Sequence, residues 1–438
     1  MVPTSASTAR LVATPDSDEI EVRTCLYDPA APSSTPVLIG PADTPTPFPT
    51  STPPRPSAVD SQDTARQLDM FNGVWNAVND PYVDPDFNGH DWAAIGDRYQ
   101  AMIEEGLTDE AVYALLQQMI NELEDEHSYF QSPAKVVEEE AALAGQLGFV
   151  GIGAFLQNTS DGAAQVILVS PDSPAAGAGL RPHDTILAVD GGPVRHENGV
   201  RRTRGPEGTT VDLTVQAPGE EPRELTLTRR RVTSALPVDA CRVPGTRVGY
   251  VMLPTFLDET MDDQLRQALA AMSADGPLDG LILDMRMNGG GLGRVAEATL
   301  GMFVGGPQGA YVTRTTREEL TVEAEDIGGS QAVPLVVLVS PETVSYGEIV
   351  SGILQLAGRA TVVGQPTLGN AEQLRRYDFG DGSRAWIASA TFEPPGLSAG
   401  IWEDTGIQPD AFVAGKWDEF TEANDPGLAA AVAILQAR

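Results

Sequence analysis

The sequence predicts a multidomain α/β protein with a helical domain first, a β-rich domain second and an α/β core domain last. Apolar residues recur at helical spacing from about residue 61, and short strands with turns dominate from about residue 145. Strands and helices then alternate from about residue 235. The chain of 438 residues is long enough for several domains. The predicted segments are therefore 1–60, 61–144, 145–234 and 235–438.

Residues 1–60 are predicted to form a disordered tail and spacer. The run PADTPTPFPTSTPPRPS is dominated by Pro, Thr and Ser, a composition that favours extended, solvated chain. No basic stretch followed by an apolar core is visible at the N-terminus, so the sequence predicts either a cytosolic protein or one whose leader has been removed.

Composition excludes several function classes. The formal net charge of −34 and the isoelectric point near 4.3 describe a surface that repels phosphates and anionic lipids, so nucleic-acid binding is not expected. No apolar run reaches about eighteen residues, so no membrane span is predicted. Cys25 and Cys241 could pair in an oxidising compartment, but they lack zinc-ligand spacing, and neither a metal nor a cofactor is predicted.

Three helices are predicted within residues 61–144. A turn-rich stretch, residues 80–91, separates the first from the second, and Thr108 is placed to cap the third. This third helix leads into Glu126-His127-Ser128. The predicted inward faces comprise Leu68, Phe71, Val74, Trp75 and Val78, then Trp92, Ile95, Tyr99 and Ile103, then Val112, Leu115, Leu116, Met119, Ile120 and Leu123.

The β-rich segment, residues 145–234, contains GFVGIGAFL, AQVILVS, a helix-like SPAAGAGL and DTILAVDGGPV in that order. This order resembles a PDZ domain. An extended peptide could add to the edge of its sheet, and the N–H groups of Gly151, Ile152 and Gly153 could hold a C-terminal carboxylate. The alternative is a structural β-domain without a ligand.

The segment 334–364 reads as a βαβ unit. Leu335 to Val339 form an unbroken apolar run, typical of a strand buried on both faces. Apolar residues at helical spacing follow, and Ser345 lies where this helix begins. Free N–H groups at a helix start suit a developing oxyanion, so Ser345 is a candidate nucleophile. The alternative is that Ser345 or Thr343 is an ordinary helix cap.

A second turn, residues 288–291, also follows a predicted buried strand. Its sequence, Asn-Gly-Gly-Gly, lacks the Lys-Ser/Thr of a phosphate-binding loop. It also lacks the glycine spacing of a dinucleotide-binding fold. A glycine N–H that opens the helix after Gly291 could instead point to the same place as Ser345. A serine at one helix start and a donor at another outline an oxyanion hole.

The order of these elements resembles the C-terminal processing peptidase family over roughly residues 65–435. LILDMRMNGGGLG, PLVVLVSPETVSYGEIVSGILQLAGRATVVGQPTLG and GIQPD carry the resemblance. It implies a ClpP/crotonase-like spiral of ββα units combined with a PDZ domain and an N-terminal helical domain. It also implies that Ser345 is the nucleophile and that Gly291 and Tyr346 supply the oxyanion N–H groups.

One departure from the family pattern concerns the general base. In the processing peptidases a lysine follows the serine by twenty-five positions, and here that position is Asn370. An amide side chain has no useful basicity, so it could not accept the serine proton. The only lysines, Lys135 and Lys416, fall outside the motif, which argues against a Ser-Lys dyad.

The core region also resembles the tricorn core protease, which uses a histidine and a glutamate instead of lysine. The matching text around the histidine is Glu126-His127-Ser128, and Glu403 precedes the segment Gly-Ile-Gln-Pro-Asp. The resemblance therefore implies His127 as the general base and Glu403 as the carboxylate that orients it. Tricorn has serine where this chain has Glu126. The alternatives are that His127 is a helix C-terminal cation and that Glu403 is a solvated loop carboxylate.

Three functions are compatible with these features to different degrees. The preferred one is a serine endopeptidase that acts on protein or peptide substrates with free C-termini, presented by the PDZ domain. The second is a catalytically inactive, peptide-binding homologue. An acyl-CoA enzyme of the crotonase type fits poorly, because that fold does not explain the PDZ-like segment. The spacer and the family habit favour an extracellular or cell-envelope location, with a cytoplasmic one left open. The oligomeric state is left open.

Overall fold

The computed structural model describes residues 22–31, 61–125, 127–143, 149–159, 161–196, 201–232 and 238–437. Near the N-terminus, strand β1 (Arg23–Thr24) pairs in parallel with the first strand of the core domain. Arg23 forms ion pairs with Asp239 at 2.6 Å and Glu422 at 2.8 Å, and a disulfide joins Cys25 to Cys241. Residues 22–31 are therefore attached to the core and are not part of a disordered spacer, while the rest of the predicted spacer lies outside the described residues.

The helical domain has the predicted helices, followed by a strand and a fourth helix. Thr108 caps the third helix through its hydroxyl, which accepts a hydrogen bond from the N–H of Ala111, as the sequence predicts. The predicted inward residues of these helices pack in one core, with Leu68 and Trp75 only partly buried. In chain order the elements are α1 (Ser61–Asn79), α2 (Trp92–Glu104), α3 (Asp109–Asn121), β2 (Tyr129–Gln131) and α4 (Pro133–Leu143).

The β-rich domain is a small sheet with one short helix. Its strands run β4-β5-β6-β7-β8 as an antiparallel sheet, and β3 pairs separately with β9. The elements are β3 (Phe149–Gly151), β4 (Ala154–Asn158), β5 (Ala164–Val169), α5 (Pro174–Gly177), β6 (Thr185–Val189), β7 (Thr210–Gln216), β8 (Arg223–Thr228) and β9 (Arg230–Val232).

The core domain is built on a largely parallel sheet of order β1-β10-β11-β12-β15-β16-β19. Strands β13, β14, β17 and β18 form a second, antiparallel sheet. The elements are β10 (Asp239–Arg242), β11 (Val248–Met252), α6 (Met261–Ser273), β12 (Gly280–Asp284), α7 (Gly293–Gly301), β13 (Gly306–Val312), β14 (Arg317–Val322), β15 (Leu335–Val339), α8 (Tyr346–Leu356), β16 (Ala360–Gly364), β17 (Gln373–Asp378), β18 (Arg384–Glu393), α9 (Ile401–Thr405), β19 (Ala411–Phe412) and α10 (Pro426–Gln436).

The main sheet is covered on both faces, which explains the unbroken apolar runs. Alternate residues of β15 face opposite cores: Val337 packs with helices α6, α7 and α8, whereas Val336 and Leu338 pack with α10. The predicted βαβ unit is therefore confirmed as β15, α8 and β16, with β15 parallel to both β12 and β16. Parallel strands end at the same sheet edge, so the turns after β12 and β15 lie side by side there.

Contacts between the domains bring the helical domain to this edge. Strand β2 pairs antiparallel with β18, and the side chains of Ala385, Ile387 and Ala388 complete the core of the helical domain. His127 lies in the loop between α3 and β2. The helical domain therefore carries His127 on a segment that is hydrogen-bonded to the core domain.

Candidate active site

Ser345 occupies a strained position between β15 and α8. Its backbone has φ 55° and ψ −124°, a conformation that is uncommon for a residue with a side chain. Its N–H donates to the carbonyl of Asn370 at 2.7 Å and to the Glu348 carboxylate at 3.1 Å. A serine held on a sharp strand-to-helix turn presents its hydroxyl at the edge of the sheet, as nucleophilic serines do in other folds.

Glu348, which was assigned no role from the sequence, holds this turn. Its side chain is fully buried and accepts hydrogen bonds from the N–H groups of Ser345, Gly369 and Asn370 and from the hydroxyl of Thr367. Burial raises the pKa of this carboxyl, and the hydrogen bonds offset only part of that effect. The spacing Ser-x-x-Glu of a capping box is the sequence pattern that could have identified it.

The turn after β12 lies directly against Ser345. A Cβ placed on Gly290 would lie 2.6 Å from the Ser345 Cβ and 3.0 Å from the N atom of Tyr346. The backbone carbonyl of Phe256 accepts a hydrogen bond from the N–H of Leu292, and the N–H of Phe256 donates to the carbonyl of Gly290. The N–H of Gly291, which lies between these two hydrogen bonds, therefore points away from Phe256.

The two predicted oxyanion donors therefore belong to turns that touch each other. Among the described residues, neither the N–H of Gly291 nor that of Tyr346 donates a hydrogen bond. Gly291 has φ 142°, and a Cβ on it would lie 2.3 Å from the backbone of both Phe256 and Leu257, so only glycine fits there. Their role as an oxyanion hole stays a prediction.

His127 and Glu403 are brought together from positions far apart in the sequence. Nε2 of His127 lies 2.6 Å from Oε1 of Glu403, and the imidazole is buried. Burial lowers the pKa of His127, but the hydrogen bond to Glu403 and the nearby carboxylates outweigh it and leave the pKa raised. His127 lies beyond the end of α3 at Asn121, so it is not a cation at that helix terminus.

The loop that carries His127 is braced by Asp125. This carboxylate accepts from the N–H of His127 at 2.8 Å and from the hydroxyl of Ser128 at 2.7 Å. The Ser128 hydroxyl in turn accepts from the N–H of Ala388 in β18. The sequence analysis did not single out Asp125, and Glu126, where tricorn has serine, lies outside the described residues.

One peptide unit connects Ser345 to Glu403. The carbonyl of Asn370 accepts from the N–H of Ser345 at 2.7 Å, and the N–H of Ala371 donates to Oε2 of Glu403 at 2.8 Å. The carbonyl and the N–H belong to the same peptide group. Asn370 occupies the position at which the processing peptidases carry lysine, and here that segment contributes backbone groups that hold the serine and the glutamate.

The described residues show no hydrogen bond between the hydroxyl of Ser345 and His127. Two of the three predicted catalytic residues, His127 and Glu403, are thus paired, and Ser345 is joined to this pair through the backbone of the 370–371 peptide. The assignment of the three as a catalytic set stays a prediction.

A third acidic residue lies beside the pair. The ligand atoms of His127, Glu372 and Glu403 all lie within 4.8 Å of one another. Burial, together with the charge of Glu403, raises the pKa of Glu372 to about 8, although His127 opposes this. No sequence pattern distinguishes Glu372 from the other acidic residues, because only the fold places it there.

The predicted carboxylate-binding loop lies between β3 and β4. The carbonyls of Ile152 and Gly153 accept from the N–H groups of Ala175 and Ser170, at 2.8 and 2.9 Å. Within the described residues, the N–H groups of Ile152 and Gly153 have no recorded acceptor. The side chain of Ile152 is buried in the domain core. Gly151, Ile152 and Gly153 as a peptide-binding site stay a prediction.

Comparison with known protein families matches three parts of the chain. Residues 247–413 match peptidase family S41, residues 64–121 match the tricorn protease C1 domain, and residues 165–217 match the PDZ domain. The carboxyl-terminal-processing protease of Synechocystis is 31% identical over 362 residues, which cover 80% of this chain and 82% of that protein. The chloroplastic carboxyl-terminal-processing peptidase 2 of Arabidopsis thaliana is 29% identical, with 78% of this chain and 68% of that protein covered.

Solved structures resemble the chain over most of its length. The photosystem II D1 C-terminal processing protease has a TM-score of 0.57 and 28% identity, with 81% of this chain and 94% of that chain covered. A putative S41 protease from Bacteroides fragilis has a TM-score of 0.54 at 17% identity, covering 83% of this chain and 97% of that chain, and shows likeness of fold alone.

The chain is a serine-type peptidase. Within that class it belongs to peptidase family S41, the family of the carboxyl-terminal-processing proteases. The predicted fold class, a mixed α/β core with a PDZ domain and an N-terminal helical domain, is confirmed.

Proposed function

We propose that the chain cleaves protein or peptide substrates through an acyl-enzyme on Ser345, with His127 as the general base and Glu403 orienting it. The observation that carries this proposal is the 370–371 peptide, which links the backbone of Ser345 to the carboxylate paired with His127. Asn370 cannot replace the lysine of a Ser-Lys dyad, so the base has to come from elsewhere.

The hydrogen bond to Glu403 supports Nδ1 as the nitrogen that acts as the base. A neutral imidazole with its proton on Nε2 donates to Glu403 and leaves Nδ1 to accept the Ser345 proton. The hydroxyl oxygen then attacks the substrate carbonyl, and the N–H groups of Gly291 and Tyr346 stabilise the oxyanion. His127 returns the proton to the leaving amine, and water hydrolyses the acyl-enzyme.

The mechanism requires a closing movement, because Ser345 and His127 are not hydrogen-bonded to each other. Apo active sites commonly tighten when substrate binds. His127 lies on the helical domain side and Ser345 on the core domain side of the site. Movement of the His127 imidazole toward the Ser345 hydroxyl would complete the catalytic set.

The PDZ domain is proposed to bind the C-terminal segment of the substrate, with the N–H groups of residues 151–153 holding the free carboxylate. A peptide with a free C-terminus should therefore bind the full chain more tightly than its amidated form, as measured by fluorescence anisotropy. Equal affinity for the two peptides would contradict this role of the PDZ domain.

An extracytoplasmic location is also proposed. The disulfide between Cys25 and Cys241 supports it, because such bonds persist in oxidising compartments and are rare in the cytosol. Among the described residues, no helix has the length and apolar character needed to cross a bilayer.

Labelling by a fluorophosphonate probe tests the catalytic proposal. We expect the wild-type chain to be labelled, Ser345→Ala to be unlabelled, and His127→Ala and Glu403→Gln to label about 100-fold more slowly. His90→Ala, which removes a partly exposed imidazole elsewhere in the helical domain, should label like wild type. Equal labelling rates of wild type and His127→Ala would contradict the mechanism. An unlabelled wild type would favour an inactive homologue.

A further inference from the structure

We propose that His127, Glu372 and Glu403 form a binding site for a divalent transition-metal ion such as Zn²⁺, and that the bound ion switches the active site off. The site is the His127–Glu372–Glu403 cluster, which offers one imidazole nitrogen and two carboxylate oxygens. These are the ligand types that zinc takes in proteins, where three protein ligands often leave a fourth position open to water.

The distances suit a site that closes around the ion. The three ligand atoms lie within 4.8 Å of one another, and Nε2 of His127 is 2.6 Å from Oε1 of Glu403. Zinc binds such atoms at about 2.0–2.2 Å. An ion that enters between the imidazole and Glu403 therefore has to push these two atoms slightly apart and draw the Glu372 carboxylate in.

Two of the ligands are already oriented by neighbouring groups. Oε2 of Glu403 accepts from the N–H of Ala371, which leaves Oε1 for the metal. The backbone of His127 is held by the Asp125 carboxylate. Such outer contacts are what orients ligands in protein metal sites. The carboxylate of Glu372 has no hydrogen bond or ion pair with the described residues, so no existing contact of that kind must break when it turns to the ion.

A cavity of about 230 Å³ gives the ion a route to the cluster. Its walls include all three ligands, and Asp84, Glu124 and Asp125 add further carboxylates, while no lysine or arginine of the described residues lines it. Carboxylates this close together disfavour one another's charge, and a divalent cation offsets that cost, with any proton on Glu372 released when the ion binds. The charge of the cavity thus favours a cation, and the imidazole favours a transition metal over Ca²⁺ or Mg²⁺.

The bound ion would block catalysis by taking the imidazole out of use. Zinc coordinates the lone pair of Nε2, so the proton now on Nε2 must leave, and the neutral ring then carries its proton on Nδ1. An Nδ1 that carries a proton cannot accept another from Ser345. This inhibitory consequence rests on the proposed function, whereas the binding site itself does not.

Isothermal titration of the full chain with ZnCl₂ at neutral pH tests the site directly. We expect one strongly bound zinc per chain, and a loss of affinity of about tenfold or more in Glu372→Gln and in His127→Ala. His90→Gln, which removes a nearby imidazole that is not in the cluster, should bind zinc like wild type. Thermal melting without zinc checks that each variant is folded. Absence of tight binding to the wild type, or equal affinity in Glu372→Gln, would overturn the proposal.

Fluorophosphonate labelling with and without zinc tests the switch separately. Saturating zinc should stop the labelling of wild type, and chelation with EDTA should restore it, while Glu372→Gln should need about tenfold more zinc. Undiminished labelling at zinc saturation would refute the inhibitory role. If the chain is unlabelled even without zinc, the proposed function fails, and the titration still decides whether the metal site exists.

Discussion

Acidification should weaken the attachment of the PDZ domain to the core domain, because His183 is buried between them. Its imidazole stacks on the Trp417 ring with centroids 3.9 Å apart and approaches Phe420 at 5.0 Å. Nδ1 donates to the carbonyl of Trp417 at 2.8 Å, and the Trp417 indole N–H donates to Val166. His183 was assigned no role from the sequence, and these contacts make it part of the interface.

The size of the effect follows from the pKa. Burial lowers the pKa of His183 from 6.5 to about 4, with Arg286 also lowering it and Asp425 and Asp284 opposing. The unfolded chain takes up this proton below about pH 6.5, and the folded chain only near pH 4, so the free energy of unfolding falls as the pH drops between these values. The loss is about 2 kcal/mol by pH 5 and at most about 3 kcal/mol.

The variant His183→Asn isolates this contribution. His183 has φ 73°, which asparagine tolerates, and the asparagine amide can still donate a hydrogen bond. Urea unfolding, monitored by tryptophan fluorescence, gives the free energy of unfolding at pH 7.5 and at pH 5. The decrease between these pH values should be about 2 kcal/mol smaller in His183→Asn than in wild type. The exposed His196, changed to Asn, serves as the control and should behave like wild type. An equal loss in all three proteins would refute the argument.

Three further predictions concern other parts of the chain. Gly291→Ala should reduce fluorophosphonate labelling about 100-fold or more, because a Cβ there would collide with the backbone of Phe256 and displace a proposed oxyanion donor. Glu348→Gln should lower the free energy of unfolding by about 1–3 kcal/mol in urea titrations, because the amide NH₂ would face N–H donors that the carboxylate now accepts from. Cys25→Ser should cost about 5 kcal/mol by the same measurement, since the Cys25–Cys241 bond closes a loop spanning 216 positions.

The fold could be predicted from the sequence because its causes are local. The burial of Val336 and Val337 on opposite faces of β15 produces the unbroken apolar run that predicts a covered strand. Thr108 is a cap recognisable from its own neighbourhood. Strand β1 could not be predicted, because its order comes from a disulfide and from ion pairs of Arg23 with residues more than two hundred positions away.

The site could be predicted only in part, for a similar reason. Ser345 follows from the strand–turn–helix pattern, and His127 and Glu403 were assigned through a family resemblance. Glu348 was missed although its capping-box spacing is local, and Glu372 was missed because the chain has 62 acidic residues and only tertiary contacts distinguish this one. A carboxylate that binds distant backbone N–H groups leaves no periodic pattern in the sequence.

The replacement of lysine by Asn370 changes how the proposed base reaches the serine. A lysine at this position would place the base on the same loop that holds the Ser345 N–H, within the core domain. Here the loop offers only its backbone, and the proposed base, His127, comes from the helical domain, where its loop is tied to the core through the Ser128 hydroxyl and the N–H of Ala388. The proposed catalytic set therefore takes its residues from two domains. Any ligand that keeps His127 from accepting the Ser345 proton, a metal ion on Nε2 included, should stop the reaction without disturbing either domain.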